Sequence, residues 1–283
     1  MTVLVPTSLD AALRALDAAP DAMILAGGTD AMVEINAGHR RPTNVISMNR
    51  VAELRSWTYD PVGAMVRIGA GVTYAELMKS PLAELLPALA EAARTVGSPQ
   101  IRHAGTLGGN LGTCSPAGDG LPVLAALNAV VHLASSAGER SVPVSEFMVG
   151  VKRNSRHPNE LIAAITLPVL DGWQGYSKIG VRNAMVIALA SVCVATDNAT
   201  SRVSIALGSV GPTIIRCPEA EAFADASVDF AGRCASPDVV SHFGQLAAAA
   251  SRPIDDHRAS ADYRRHAIGV MASRLLRRAF PHE

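Results

Sequence analysis

Thr106-Leu107-Gly108-Gly109-Asn110 follows a helical pattern and leads directly into Leu111-Gly112-Thr113-Cys114 and Ser115-Pro116-Ala117-Gly118-Asp119. Adjacent glycines carry no Cβ, so the chain can turn tightly here and approach a ligand closely. Successive amides of such a turn form a concave anion site. Thr106 and Asn110 flank it with side chains able to donate hydrogen bonds. A second Gly-Gly turn lies upstream at Ala26-Gly27-Gly28-Thr29-Asp30. It follows Met23-Ile24-Leu25, an apolar strand, and opens a helix to about Ile35 capped by Thr29 or Asp30. In that context a helix N-terminus and turn amides jointly attract phosphate. Each turn alone is also compatible with a plain tight turn. As a pair they suit the two phosphates of a dinucleotide, held from opposite sides. The Asp30 carboxylate would repel phosphate and is expected to point away, capping its helix.

Working outward, Val3-Leu4-Val5-Pro6 reads as a strand ended by proline. Thr7 or Ser8 can cap a helix with Leu9, Ala12, Leu13 and Leu16 on one face. With the strand Asn44-Val45-Ile46-Ser47, residues 1–54 form a small α/β unit. Val66–Gly69 is a strand followed by Gly69-Ala70-Gly71, but a dinucleotide fingerprint requires a small residue where Tyr74 stands. A turn into a helix over Tyr74–Lys79 is the better reading. Leu82, Leu85, Leu86, Leu89, Ala93 and Val96 recur at helical spacing as one buried face. Beyond Asp119 come an apolar helix, Leu121–Leu127, and strands at Val130–Leu133, Arg140–Val142 and Leu161–Pro168, completing a second unit over 55–170. The remainder, 171–283, contains strands at Trp173–Ile179, Ala188–Thr196 and Arg202–Leu207, read as a three-stranded antiparallel sheet. Helices follow at Asp238–Ala250 and in a long last segment striped by Tyr263, Ala267, Val270, Met271 and Leu275.

Of the 283 residues, 49% are hydrophobic and 18% charged, which supports a sizeable core and argues against disorder. Lys+Arg and Asp+Glu balance at 25 each, so there is no electrostatic case for nucleic acid or an acidic membrane. Cys114, Cys193, Cys217 and Cys234 are far apart, without the grouping of a zinc or iron–sulfur site in this chain. Reduced thiols fit a cytoplasmic setting. The N-terminus does not read as a signal peptide. No apolar run approaches the ~20 residues of a membrane span. No Ser-His-Asp or paired-carboxylate spacing stands out.

The two glycine turns and their neighbours, taken together, resemble the FAD-binding medium subunit of molybdenum hydroxylases of the xanthine dehydrogenase and carbon monoxide dehydrogenase type. The residues carrying the likeness are Ala26–Asp30, Gln100–Asn110, Ser115–Asp119, Tyr176-Ser177-Lys178 and Asp256–Arg265, so it spans essentially the whole chain. The resemblance implies an α+β fold: a PCMH-type FAD module in two subdomains, 1–54 and 55–170, then a C-terminal α+β domain, 171–283, with the flavin between module and domain. It assigns the FAD pyrophosphate to Leu25, Ala26, Gly27, Gly28, Thr29, Asp30 and Ala31 in one loop. The other loop is Thr106, Leu107, Gly108, Gly109 and Asn110. By the same likeness Asp119 meets the ribityl hydroxyls, Lys178 lies near the flavin ring and Leu161 matches an apolar ring contact. Read without it, Asp119 caps the next helix, Lys178 is a solvent-facing strand residue, and Arg102 makes either a phosphate contact or a surface ion pair. The wall near flavin N5 is expected from Met185–Ile187.

The implied function is electron transfer in a multi-subunit hydroxylase. A large partner carries molybdopterin and oxidises the substrate, a small partner carries two 2Fe–2S clusters, and this FAD passes electrons to an external acceptor. A dimer of heterotrimers in the cytoplasm is the expected assembly, with no membrane span. The alternatives are a free-standing PCMH-type flavin oxidase and a non-catalytic assembly subunit. Substrate and acceptor are left open by the residues.

Overall fold

The first Gly-Gly turn hangs from a parallel sheet in which Asn44–Ser47 lies between Thr2–Leu4 and Met23–Leu25. The computed structural model describes residues 1–281. Ser8 caps helix Leu9–Ala18 by accepting the Ala11 amide at 3.2 Å. The helix buries Ala12 and Leu16 against Ile46 and Leu54.

The second sheet is antiparallel, in the order Trp57–Asp60, Met65–Gly69, Leu161–Pro168, Val130–Ser135, Gly138–Pro143. Leu161–Pro168 is central because five of its eight residues are buried and it pairs on both sides. The periodic stretch read as one helix is two, Leu82–Leu85 and Pro87–Thr95. Pro87 has no amide to continue the first helix and suits the first turn of the second. The apolar face survives the break: Leu82, Leu86, Leu89 and Ala93 are buried.

The C-terminal sheet has four antiparallel strands, not three: Gln174–Ile179, Ala190–Asp197, Arg202–Gly208 and Ile215–Arg216. The fourth was missed because it is two residues long and closed by Pro218, too short for periodicity to register. Helices Pro218–Ser227, Pro237–Ala250 and Ala261–Ala279 pack with this sheet around a common core. In the last helix the buried stripe runs through Ala267, Ile268, Met271, Ala272, Leu275 and Leu276. Tyr263, expected inside, is 44% exposed. Its neighbour Arg264 is buried instead, donating to the Leu189 carbonyl at 2.9 Å and pairing with Asp256 at 2.7 Å.

Helix Gly120–Ala126 is buried along its whole length and packs against Pro87–Thr95 on one side and the C-terminal sheet on the other. One hydrophobic cluster therefore joins Leu89 and Leu124 to Tyr176, Cys193 and Ala206. This shared core sets Asp119, downstream of the second glycine loop, against Tyr176 and Lys178 on the first strand of the C-terminal sheet. Among the described residues, no helix is long and apolar enough to cross a membrane.

Candidate cofactor site

The first loop depends on both its glycines. Gly27 lies flush on the 104–105 peptide: an added Cβ would stand 1.8 Å from the Ala104 carbonyl oxygen. Gly28 has φ +72°, a left-handed conformation that suits glycine. Among the described residues, no acceptor within the chain takes the amides of Gly28, Thr29 or Asp30, so the turn presents unspent donors. Asp30 sits at the N-cap of helix Ala31–Asn36 without capping it. Its carboxylate accepts the Thr113 hydroxyl at 3.1 Å and so ties the first loop to the helix of the second. The expected cap is corrected: Thr113 competes for the carboxylate, and the N-cap residue has αR rather than extended backbone.

The second loop is not a free nest of amides. Thr106 caps helix Leu107–Thr113, accepting the Gly109 amide at 2.9 Å. The Leu107 amide donates to Val72 at 3.1 Å and the Gly108 amide to Ala70 at 2.9 Å. Those donors are consumed by the Ala70–Val72 segment, against which Gly108 packs so closely that a Cβ would fall 2.4 Å from that of Ala70. The glycines thus permit a backbone-to-backbone approach. Gly109 is less crowded: an added Cβ would lie 3.0 Å from its own cap, Thr106 Oγ1, and 4.0 Å from the Ala26 Cβ, so the two loops face each other there. Beside it, the buried Asn110 Oδ1 has no partner among the described residues. Gly118 and Gly120 close tightly around that amide. A buried acceptor left unmet costs about 1–3 kcal/mol, which a ligand donor would relieve.

Asp119, 8% exposed, likewise caps nothing. Tyr176 Oη donates to its Oδ1 at 2.9 Å and Lys178 Nζ to its Oδ2 at 2.6 Å. Lys178 also donates to the Thr95 carbonyl at 3.1 Å. Its side chain is only 6% exposed, so the solvent-facing reading is corrected: a buried carboxylate across the domain boundary draws it in. Burial pushes the Asp119 carboxyl up in pKa, against the pull of the Lys178 ammonium and the Tyr176 hydroxyl. Tyr176 is the residue whose role the sequence reading missed. Its signal was present, since residues two apart on a strand share a face. Glu91 secures the arrangement by accepting the Tyr176 amide at 2.7 Å and Arg278 Nη2 at 3.1 Å.

Lys178 borders a cleft of about 590 Å³ lined also by Thr95, Gly97, Met185 and Val186. Of the stretch expected to wall the flavin, Met185 and Val186 line this cleft, whereas Ile187 is 52% exposed and outside the lining. Arg102 makes no ion pair among the described residues; it donates to the Val96 and Gly97 carbonyls, at 3.0 Å each. Leu161 is not brought to the cleft. It is buried with Ala12, Leu16 and Ile46, and its neighbour Ile162 is the one facing Gly112 of the second-loop helix. No group of three or more His, Cys, Asp or Glu side chains that could hold a metal occurs among the described residues.

Residues 1–170 match the profile of the FAD binding domain in molybdopterin dehydrogenase, and residues 176–279 that of the CO dehydrogenase flavoprotein C-terminal domain. The chain belongs to this flavoprotein family. It is 31% identical to the glyceraldehyde dehydrogenase medium chain of Sulfolobus acidocaldarius, over 95% of each chain. It is 32% identical to the nicotine 6-hydroxylase medium subunit of Paenarthrobacter nicotinovorans, over 96% of this chain and 94% of that one. The carbon monoxide dehydrogenase of Hydrogenophaga pseudoflava superposes with a TM-score of 0.88 at 29% identity, covering 99% of this chain and 96% of that one.

FAD is the cofactor of this flavoprotein. The residues present fit it on three counts: unspent amides at the first loop, a bare Gly109 facing Ala26, and an unmet buried acceptor on Asn110. The chain is an FAD-carrying subunit of an oxidoreductase of the molybdenum hydroxylase type.

Proposed function

We propose that this chain takes electrons from the 2Fe–2S clusters of a small partner subunit and delivers them to an external acceptor. A large molybdopterin subunit oxidises the substrate in the same complex, a dimer of heterotrimers in the cytoplasm. The observation that carries the reading is the buried Asp119–Lys178–Tyr176 group, which spans the two domains between the glycine loops and an open cleft. Bound FAD supplies the chemistry that converts one-electron transfers from iron–sulfur centres into two-electron delivery.

The chain's own residues bind and orient. Leu25 through Ala31 hold the pyrophosphate, mainly through the amides of Gly28, Thr29 and Asp30. Thr106 through Asn110 form the opposite wall, where the Asn110 side chain gains the partner it lacks. Asp119 has acceptor sites beyond the two already used, enough to take ribityl hydroxyls. Lys178 brings a positive charge to the ring side, held in place by Asp119 and the Thr95 carbonyl. Leu161 acts indirectly, through the core it shares with Ala12, Leu16 and Ile46. The relatives named above are subunits of enzymes acting on glyceraldehyde, nicotine and carbon monoxide. Such different substrates are consistent with substrate chemistry residing in another chain.

The test is an absorption spectrum of the protein purified with its native partners, before and after denaturation. Flavin bands released on denaturation, with iron–sulfur absorption belonging to co-purified chains, are expected. Flavin in an isolated chain that a substrate reduces directly would replace this reading with a free-standing oxidase. A colourless chain unable to take up FAD would leave an assembly role.

A further inference from the structure

Strand Gln174–Ile179 is an edge of the C-terminal sheet, so its outward amides have no strand to pair with. Helix Pro87–Thr95, from the FAD module, packs along that edge. Two polar contacts join them. Glu91 Oε2 accepts the Tyr176 amide at 2.7 Å, and the Thr95 carbonyl accepts Lys178 Nζ at 3.1 Å. Positions four apart on a helix share a face and are separated by about 6 Å of rise. Positions two apart on a strand share a face and repeat at about 6.8 Å. The two spacings match, so the pair of contacts fixes one register of helix against strand. In that register Tyr176 Oη and Lys178 Nζ reach the two oxygens of Asp119, at 2.9 and 2.6 Å.

Glu91 is itself held in place. Its Oε1 accepts Arg278 Nη2 at 3.1 Å, near the end of helix Ala261–Ala279. The Arg278 guanidinium lies 5.1 Å from the centre of the Trp173 ring, within cation–π range. That ring covers Gly175, where an added Cβ would stand 2.2 Å from it. An exposed Glu–Arg pair alone contributes little. Here the other carboxylate oxygen takes a backbone donor at the sheet edge, and an ionised acceptor makes that hydrogen bond a strong one.

We propose that Glu91 is a positioning residue of the flavin site: by holding the Tyr176 amide it keeps the Lys178 ammonium on the ring side of the cofactor, with Arg278 and Trp173 fixing the carboxylate. Glu91 acts through Tyr176 and Lys178 rather than on the cofactor itself. A positive charge beside the ring favours the reduced flavin anion over the oxidised flavin. Loosening the register therefore weakens binding of the reduced form more than of the oxidised form, and the flavin potential falls. The inference rests on the proposed FAD role of the chain.

The test compares Glu91→Ala, Glu91→Gln and Arg278→Ala as flavin-loaded full chains, reading FAD affinity, the two-electron flavin potential by redox titration, and Tm. Val240→Ala, in the core beneath helix Pro237–Ala250, is the control for destabilisation alone. Glu91→Ala should bind oxidised FAD on the order of tenfold more weakly. Its reduced FAD should lose a further tenfold, which lowers the potential by about 30 mV. Glu91→Gln keeps an acceptor for the Tyr176 amide and should restore most of both. Arg278→Ala, at an exposed position, should shift the potential the same way by a smaller amount. Val240→Ala should lower Tm and leave the potential in place. Full flavin loading with a parent-like potential in Glu91→Ala overturns the positioning role alone, and so does a shift of equal size in Val240→Ala. Glu91→Gln no better than Glu91→Ala overturns it as well, because the retained acceptor would then be irrelevant. Should Glu91→Ala fail to fold, a parent-like potential in Arg278→Ala overturns it. A parent protein that takes up no flavin overturns the inference together with the proposed function.

Discussion

Replacing Lys178 by methionine removes the ammonium while keeping a side chain of similar reach. Asp119 would then be left 8% exposed with only neutral donors, chiefly Tyr176. Breaking a buried pair by removing one partner typically costs about 3–5 kcal/mol, because the surviving charge is uncompensated. Here the loss is capped by an escape route. Burial already pushes the Asp119 carboxyl upward, and without Lys178 it rises further until protonation becomes cheaper than holding the charge. Each unit of that rise corresponds to about 1.4 kcal/mol. A carboxyl whose folded pKa is raised favours the native state when protonated. Its penalty is therefore absent below the unfolded value near ~3.9 and grows as pH rises to the folded value.

Urea unfolding of the full chain should accordingly show Lys178→Met destabilised by about 3 kcal/mol at neutral pH. The deficit relative to the parent should shrink steadily toward pH ~4. The double variant Lys178→Met, Asp119→Asn should recover more than half of the loss at neutral pH, since asparagine retains acceptor capacity for Tyr176 without a buried charge. A deficit below about 0.5 kcal/mol, the size of a surface change, would show that the pair is solvated and refute the argument. A deficit independent of pH would refute the charge-based part of it.

Gly27→Ala should cost about 1–3 kcal/mol and abolish tight FAD binding, because the new methyl meets the Ala104 carbonyl at 1.8 Å and the loop must move. Gly28→Ala should cost only about 1–2 kcal/mol from its left-handed backbone, and flavin titration with thermal melts separates the two. Asp256 is held near pKa 2, first by the Arg258 amide and then by the Ala259 amide and Arg264. As a depressed acid it contributes stability that is full above the ordinary carboxylate range and lost as pH falls toward about 2. Melting curves of Asp256→Asn should therefore lie below the parent at neutral pH and converge with it at that acid limit. A gap unchanged with pH would mean that the carboxylate is not charged in the native state.

The strands Met23–Leu25, Asn44–Ser47 and Leu161–Pro168 have the bounds read from the sequence, because each is an apolar run closed by polar or turn-forming residues. The first glycine turn was equally legible, and of the two capping candidates Thr7 and Ser8 the structure uses Ser8; Gly108 and Gly109, read as a turn, lie inside helix Leu107–Thr113 instead. Those features and the family motifs along the chain determined the architecture and the cofactor. The fates of the charged residues could not be read the same way. Asp119 and Lys178 are 59 positions apart, and each alone favours an ordinary exposed role. Only when helix Gly120–Ala126 packs between helix Pro87–Thr95 and the C-terminal sheet do they meet, buried, with Tyr176 completing the group. The Leu107 and Gly108 amides were lost to the Val72 and Ala70 carbonyls for the same reason. Likewise Arg264 displaced Tyr263 from the core because carbonyls of Leu189 and Ser209 and the Asp256 carboxylate waited there. Local sequence determines which backbone shapes are accessible. Whether a polar group is buried, spent or free depends on the partner that tertiary packing brings to it, because desolvation is tolerable only where that partner exists.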